Sequence, residues 1–317
     1  MRSVIRRSGV SHHHPKEESA PPSLLTGLDS GFETKDVEGG SKLKPSVVRL
    51  SLTPSQCTPT TVKEVIEKFA APFGAELNLL VEFDGPEKVS TKFTSAQAKG
   101  LVNLAGIKGL KCLELGNETS YGYQYGDGFS NESYKLRAKE YAQRVREAGE
   151  ALAGTGLGVS CQADDGNSGS SVWVNEMYAQ VPELHKYISA WTIHPYPSTT
   201  TNASAVRIER MYSQVGAHGG SGVSVDVTEW GVPTDNGNTL NDGTHLTYAE
   251  AATFATGSYN ALKAAAGTKL RQFIIYQVRD QRPPGSGSER EWYFGALQRE
   301  LGNKGEWTKF VEKVMGE

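Results

Sequence analysis

The sequence predicts an α/β protein built as a (β/α)8 TIM barrel. Eight short apolar runs alternate with amphipathic stretches, and a chain of 317 residues is the size such a barrel needs. A Gly-rich phosphate turn after the first apolar run, the mark of an open doubly wound sheet, is missing: Gly27-Leu28-Asp29-Ser30-Gly31 lacks that spacing and its acidic follow-up.

The strand candidates, in order, are Leu24–Asp29, Ser46–Leu52, Glu76–Phe83, Lys111–Gly116, Leu157–Cys161, Ser189–His194, Val223–Thr228 and Leu270–Gln277. Each is short, apolar and rich in residues that suit a strand buried on both faces. Helical spacing lies between them. Val62, Val65, Ile66 and Phe69 share one helix face, and so do Tyr134, Ala138, Tyr141, Val145, Ala148 and Leu152. The first connection is the exception, because Gly31 to Lys44 is rich in glycine and charge and reads as loop or as helix.

Residues 1–22 read as a disordered tail, with Arg6, Arg7, His12, His13, His14 and Pro21-Pro22 and few apolar residues. Residues 23–317 read as one barrel domain. The apolar pair Val4-Ile5 is far short of the roughly 7–15 residues of a secretory signal core. No apolar stretch reaches the length of a membrane span. A net charge of −3 without a basic block gives nucleic-acid binding no electrostatic support.

Cys57, Cys112 and Cys161 form no disulfide framework, although a Cys112–Cys161 bridge between neighbouring strands is conceivable. Neither Cys-x-x-Cys nor His-x-x-x-His spacing occurs, so no metal and no cofactor is expected. Asp164-Asp165-Gly166-Asn167 has clustered oxygens but not the full calcium loop, and turn chemistry accounts for it better.

Two carboxyl groups stand out. Glu118 follows the fourth strand in Gly116-Asn117-Glu118, and Glu229 ends the seventh in Thr228-Glu229-Trp230-Gly231. In a barrel both would project over one pocket at the strand C-termini, as a pair that breaks a glycosidic bond must. Arg49 lies in Val47-Val48-Arg49-Leu50-Ser51-Leu52, where alternation sets it opposite Val48, Leu50 and Leu52. If those three face the helices, Arg49 points into the barrel and needs an anion: Glu229, or structurally Glu82 or Glu114.

These fragments, with His194-Pro195-Tyr196 after strand six and Trp292-Tyr293-Phe294-Gly295 near the end, resemble the clan of (β/α)8 retaining glycoside hydrolases, such as cellulase-like, β-xylosidase-like and β-glucuronidase-like families. The resemblance covers nearly all of the chain after Leu24 and rests on the order of the fragments on strands four, six and seven. It implies a glycosidase that cleaves β-linked O-glycosidic bonds by double displacement. Glu118 would be the acid/base, with a pKa raised to on the order of 6–7, and Glu229 the nucleophile.

By the same resemblance Asn117 would hold the sugar's 2-hydroxyl, while His194 and Tyr196 would flank the nucleophile. Trp230, Tyr276, Trp292 and the tyrosines Tyr121, Tyr123 and Tyr125 are candidates for stacking on sugar rings or for plugging loops. The chain departs from its relatives at Tyr276-Gln277, where strand eight often ends in tryptophan, and at Thr119, where many have proline. The expected partner is an oligosaccharide, polysaccharide or glycoside, the expected state a monomer, and the expected location outside the cell. A carbohydrate-binding barrel without catalysis and a barrel hydrolase of other chemistry are the alternatives.

Overall fold

The structure, a computed structural model, describes residues 24–82, 93–121, 131–163, 171–197 and 200–317. The expected tail, the cluster 164–167, Tyr123 and Tyr125 lie outside the described residues. Eight strands, β1 Leu25–Asp29, β2 Val47–Leu52, β3 Glu76–Val81, β4 Leu110–Leu115, β5 Gly158–Gln162, β6 Ala190–Ile193, β7 Ser224–Trp230 and β8 Leu270–Ile275, close in sequence order into a barrel. Every neighbouring pair is parallel, and β8 returns to β1. Helices α1 Thr34–Leu43, α2 Pro59–Phe69, α3 Ser95–Gly100, α4 Glu132–Leu152, α5 Val172–Gln180, α6 Ala203–Gly216, α7 Tyr248–Ala266 and α8 Glu306–Met315 each follow one strand.

Alternation along the strands sorts the side chains into two compartments. Val48, Leu50, Leu52, Leu113, Leu115, Val225, Val227 and Phe273 belong to one core between barrel and helices, and burying each contributes roughly 1.5–3 kcal/mol. From the helix side, Val62, Val65 and Ile66 of α2 and the whole expected face of α4, Tyr134 to Leu152, are buried. Tyr141 on that face donates its hydroxyl to Leu115 O at 2.6 Å and accepts from the Gln162 amide at 2.8 Å, which locks α4 onto β4 and β5.

The opposite strand face fills the barrel with polar groups. Arg49, Asn78, Glu114, Ser160, Gln162, Thr192, Asp226 and Gln272 are all buried there. At the lower end, Arg271 pairs with Asp226, and Gln272 donates to Asp226 Oδ2 at 3.2 Å and to Cys112 Sγ at 3.1 Å. A polar interior of this kind fixes strand register, since a slip of one residue would put charges among the helices.

Two points that the sequence left open are resolved. The Gly31 to Lys44 segment contains a helix, because its glycines serve contact: a Cβ on Gly39 would stand 2.6 Å from Val278 Cγ1, and one on Gly40 2.9 Å from the Phe73 ring. Glu33 and Asp36 cap that helix reciprocally, and Arg279 pairs with both. The Cys112–Cys161 bridge does not form. Cys112 faces the barrel interior and Cys161 the helical layer, three register positions apart, and all three cysteines are free.

Candidate active site

Arg49 organises the upper end of the barrel. Its Nε donates to Glu114 Oε2 at 2.8 Å, and Nη1 donates to Asp29 Oδ2 at 2.7 Å and to Glu229 Oε1 at 2.6 Å. Nη2 completes the fork with Glu114 Oε1 at 3.0 Å and Asn117 Oδ1 at 2.7 Å. All five guanidinium N–H groups are therefore spent. Of the three partners proposed for Arg49, Glu229 and Glu114 are present, whereas Glu82 takes no part. Burial alone would disfavour the charged guanidinium, but the carboxylates of Glu114, Glu229 and Asp29 hold its pKa well above the ordinary value. Glu114 is also fully buried, which opposes ionisation; Arg49 and the hydrogen bonds outweigh this and hold it down at about 2.

Glu229 is gripped at both oxygens, Oε1 by Arg49 and Oε2 by the Tyr196 hydroxyl at 2.9 Å. Burial, and then the charge of Glu229, push the Tyr196 phenol well above its usual pKa, so it remains a donor. Glu118 reaches the same space by a different route. The chain leaves β4 through Gly116 at φ 72° and Glu118 itself adopts φ 46°, a left-handed conformation that costs a non-glycine residue about 1 kcal/mol or more. That turn brings its carboxyl to the cavity, where Oε1 sits 3.0 Å from His194 Nδ1.

The protons on His194 follow from the chain of hydrogen bonds behind it. Thr228 donates its single hydroxyl proton to Glu114 Oε1 at 2.8 Å, so toward His194 Nε2, 3.0 Å away, Thr228 can only accept. Nε2 therefore carries hydrogen, and Nδ1 faces the Glu118 carboxyl. Burial opposes a charged ring, but Glu229, Glu114 and Glu118 around it win and push His194 up to about 10. A histidine whose folded pKa exceeds its ordinary 6.5 gives stability that is complete below about 6.5 and is lost as pH rises through about 10. The difference in thermal midpoint between wild type and a His194→Gln variant is accordingly expected to shrink from pH 7 to pH 10, as calorimetry at both ends can check.

One oxygen each of Glu118 and Glu229 and a nitrogen of His194 lie within 4.8 Å of one another. Such a trio has the donor atoms of a metal site. Both ring nitrogens of His194 already have partners there, Glu118 at Nδ1 and Thr228 at Nε2.

Both glutamates line a cavity of about 740 Å³ at the strand C-termini, together with Arg49, Asn117, Tyr196 and Tyr276. Because Arg49 can only donate, the Asn117 side chain must turn Oδ1 toward it, which leaves the Nδ2 amide facing the cavity. Tyr121 lines the cavity as well and accepts from Arg207 Nη2 at 2.6 Å. Tyr276 forms part of the wall beside Phe294, ring centroids 5.7 Å apart, and the Tyr276–Gln277 peptide is cis.

Other expected site residues lie elsewhere. Trp230 is fully buried in the helical layer, its ring 5.2 Å from that of Phe273 and its Nε1 donating to Ser204 Oγ at 3.0 Å. Trp292 does not line the cavity and packs under the Arg282 guanidinium at 5.5 Å. His194 touches Glu118 but is itself 0 % exposed, so it supports the site from beneath. The sequence reading missed Asp29, Arg207, Arg290 and Phe294 on the cavity wall. Asp29 alone left a signal, since Asp29 is in register with Arg49 and ends β1 at the same level.

The sequence matches no family model and no curated protein. The structure is similar to a family 39 glycoside hydrolase from Bacteroides cellulosilyticus WH2, at a TM-score of 0.61 and 12% identity over 92% of this chain, which spans 63% of that one. It is similar to two fungal β-1,4-galactanases at TM-score 0.61 and 12% identity, covering 90% of this chain and 98% of theirs. It is also similar to CJP38, a β-1,3-glucanase and allergen of Cryptomeria japonica pollen, at TM-score 0.59 and 16% identity over 88% of this chain and 97% of that one. At these identities the likeness is one of fold, a (β/α)8 barrel found in glycoside hydrolases.

Proposed function

We propose that this chain is a retaining glycoside hydrolase acting on β-linked carbohydrate, with Glu229 as nucleophile and Glu118 as acid/base. The observation that carries the reading is the pair itself: two carboxyl groups from different strands, with oxygens within 4.8 Å of each other in one cavity and in unlike surroundings. An inverting enzyme keeps its carboxyls about 6.5–9.5 Å apart to seat a water, whereas a retaining one needs about 5–5.5 Å.

Charge and hydrogen bonds support this division of roles. Glu229, between Arg49 and Tyr196, accepts at both oxygens, as an ionised nucleophile would. Glu118 has one oxygen toward His194 and sits at the cavity wall where a leaving oxygen can receive its proton. The Asn117 amide next to it suits the 2-hydroxyl of the ring under attack. The similarity in fold to β-1,4-galactanases and a β-1,3-glucanase agrees with a β-linked substrate.

Hydrolysis of a panel of chromogenic β-glycosides and β-glucans by wild type, and its loss in both Glu118→Gln and Glu229→Gln, tests the reading. Binding without cleavage by the wild type would instead leave a carbohydrate-binding barrel. Within the active enzyme, Tyr196→Phe removes one donor to the nucleophile and is expected to lower kcat/KM by on the order of 10²-fold with the fold unchanged by circular dichroism.

A further inference from the structure

Among the described residues, Asp29 is the one carboxyl group in the cavity held beside Glu229 by a shared partner: Arg49 Nη1 donates to Asp29 Oδ2 at 2.7 Å and to Glu229 Oε1 at 2.6 Å. Its other oxygen, Oδ1, receives no hydrogen bond from any described group, while the residue lines the cavity with 18% of its side chain exposed. A carboxylate oxygen that is fixed in direction yet left without a donor is a prepared acceptor. We propose that Asp29 Oδ1 receives a hydroxyl proton from the same sugar ring that Glu229 attacks, and so selects the substrate by the position of that hydroxyl.

The shared nitrogen is the reason both contacts fall on one ring. Oxygens that touch a single Nη1 atom are neighbours, and a pyranose or furanose ring is wide enough to present its anomeric carbon to one and a hydroxyl to the other. Arg49 cannot supply that contact itself, because its five N–H groups are spent. Burial, with the charges of Glu229 and Glu114 and against the attraction of Arg49, raises the Asp29 carboxyl to about 7, and a hydroxyl donor at Oδ1 would favour its ionised form.

The inference rests on the glycosidase reading and is tested with it in hand. The probes are the 4-nitrophenyl glycoside that the wild type cleaves fastest and its monodeoxy analogues, each lacking one ring hydroxyl. Asp29→Ala is expected to lower kcat/KM by about 100-fold on the parent glycoside. On one deoxy analogue, the one lacking the partner hydroxyl, the same substitution is expected to cost less than about 3-fold. Should Asp29→Ala destabilise the barrel, Asp29→Asn supplies the same comparison. Its carbonyl must face Arg49, which turns an amide donor to the cavity in place of the acceptor. An equal loss on every analogue would make Asp29 a mere support for Arg49, and a loss below about 3-fold on the parent would also overturn the inference while the enzyme reading stands. If the wild type cleaves no glycoside at all, the enzyme reading falls and takes the inference with it.

Discussion

Glu229→Ala is expected to lower kcat on β-glycosides by on the order of 10⁵-fold, the scale on which a covalent nucleophile is lost. Arg49 and Tyr196, both donors aimed at the vacated position, would then face a small anion-sized hole. Sodium azide added to this variant is expected to enter that hole, attack the anomeric carbon of an activated aryl β-glycoside and release the α-glycosyl azide. Glu118→Ala behaves differently. Its glycosyl-enzyme still forms from an activated substrate, so azide attacks from the opposite face and gives the β-glycosyl azide. Proton NMR of the two azide products checks the assignment, and the same anomer from both variants would contradict it.

Arg49→Met is expected to be the most destabilising substitution in the site, by about 3–5 kcal/mol in urea unfolding. Glu114 is 0 % exposed and takes two of the guanidinium's hydrogen bonds, so methionine leaves a buried carboxylate without its counter-charge. Glu229 and Asp29 would lose their common donor at the same moment. The double variant Arg49→Met with Glu114→Gln is expected to recover part of that loss, since removing both partners avoids the orphaned charge. A loss below about 1 kcal/mol for Arg49→Met would show that the network does not hold the barrel.

The barrel was legible because its signals are local. All eight strand candidates overlap observed strands, and Arg49 falls inside the barrel as the alternation of Val48, Leu50 and Leu52 requires. The meeting of Glu118 and Glu229 was legible because strand ends in a barrel converge whatever the loops do. Trp230 was not, and the reason lies in one irregularity. Register between β7 and β8 shifts between Val227 and Trp230, so Thr228 and Glu229 both serve the interior and Trp230 turns outward to Phe273. A sequence carries no mark of such a shift.

Other omissions have a similar cause. Arg207 and Arg290 reach the cavity from α6 and from the segment after β8, and long side chains that arrive from a distance obey no periodicity. Asp29 closes the first strand with no motif around it, and its importance depends on contact with Arg49, twenty positions away. The deep position of His194 could not be read either, since its neighbour Tyr196, two residues on, does line the cavity.

Proton NMR of the first sugar released from a β-glycoside, recorded before mutarotation, tests the central claim most directly. One oxygen of each carboxyl within 4.8 Å of the other predicts that the new hemiacetal appears first as the β-anomer, with configuration retained. Initial appearance of the α-anomer would mean that water, and not Glu229, attacks the sugar, and would contradict the account.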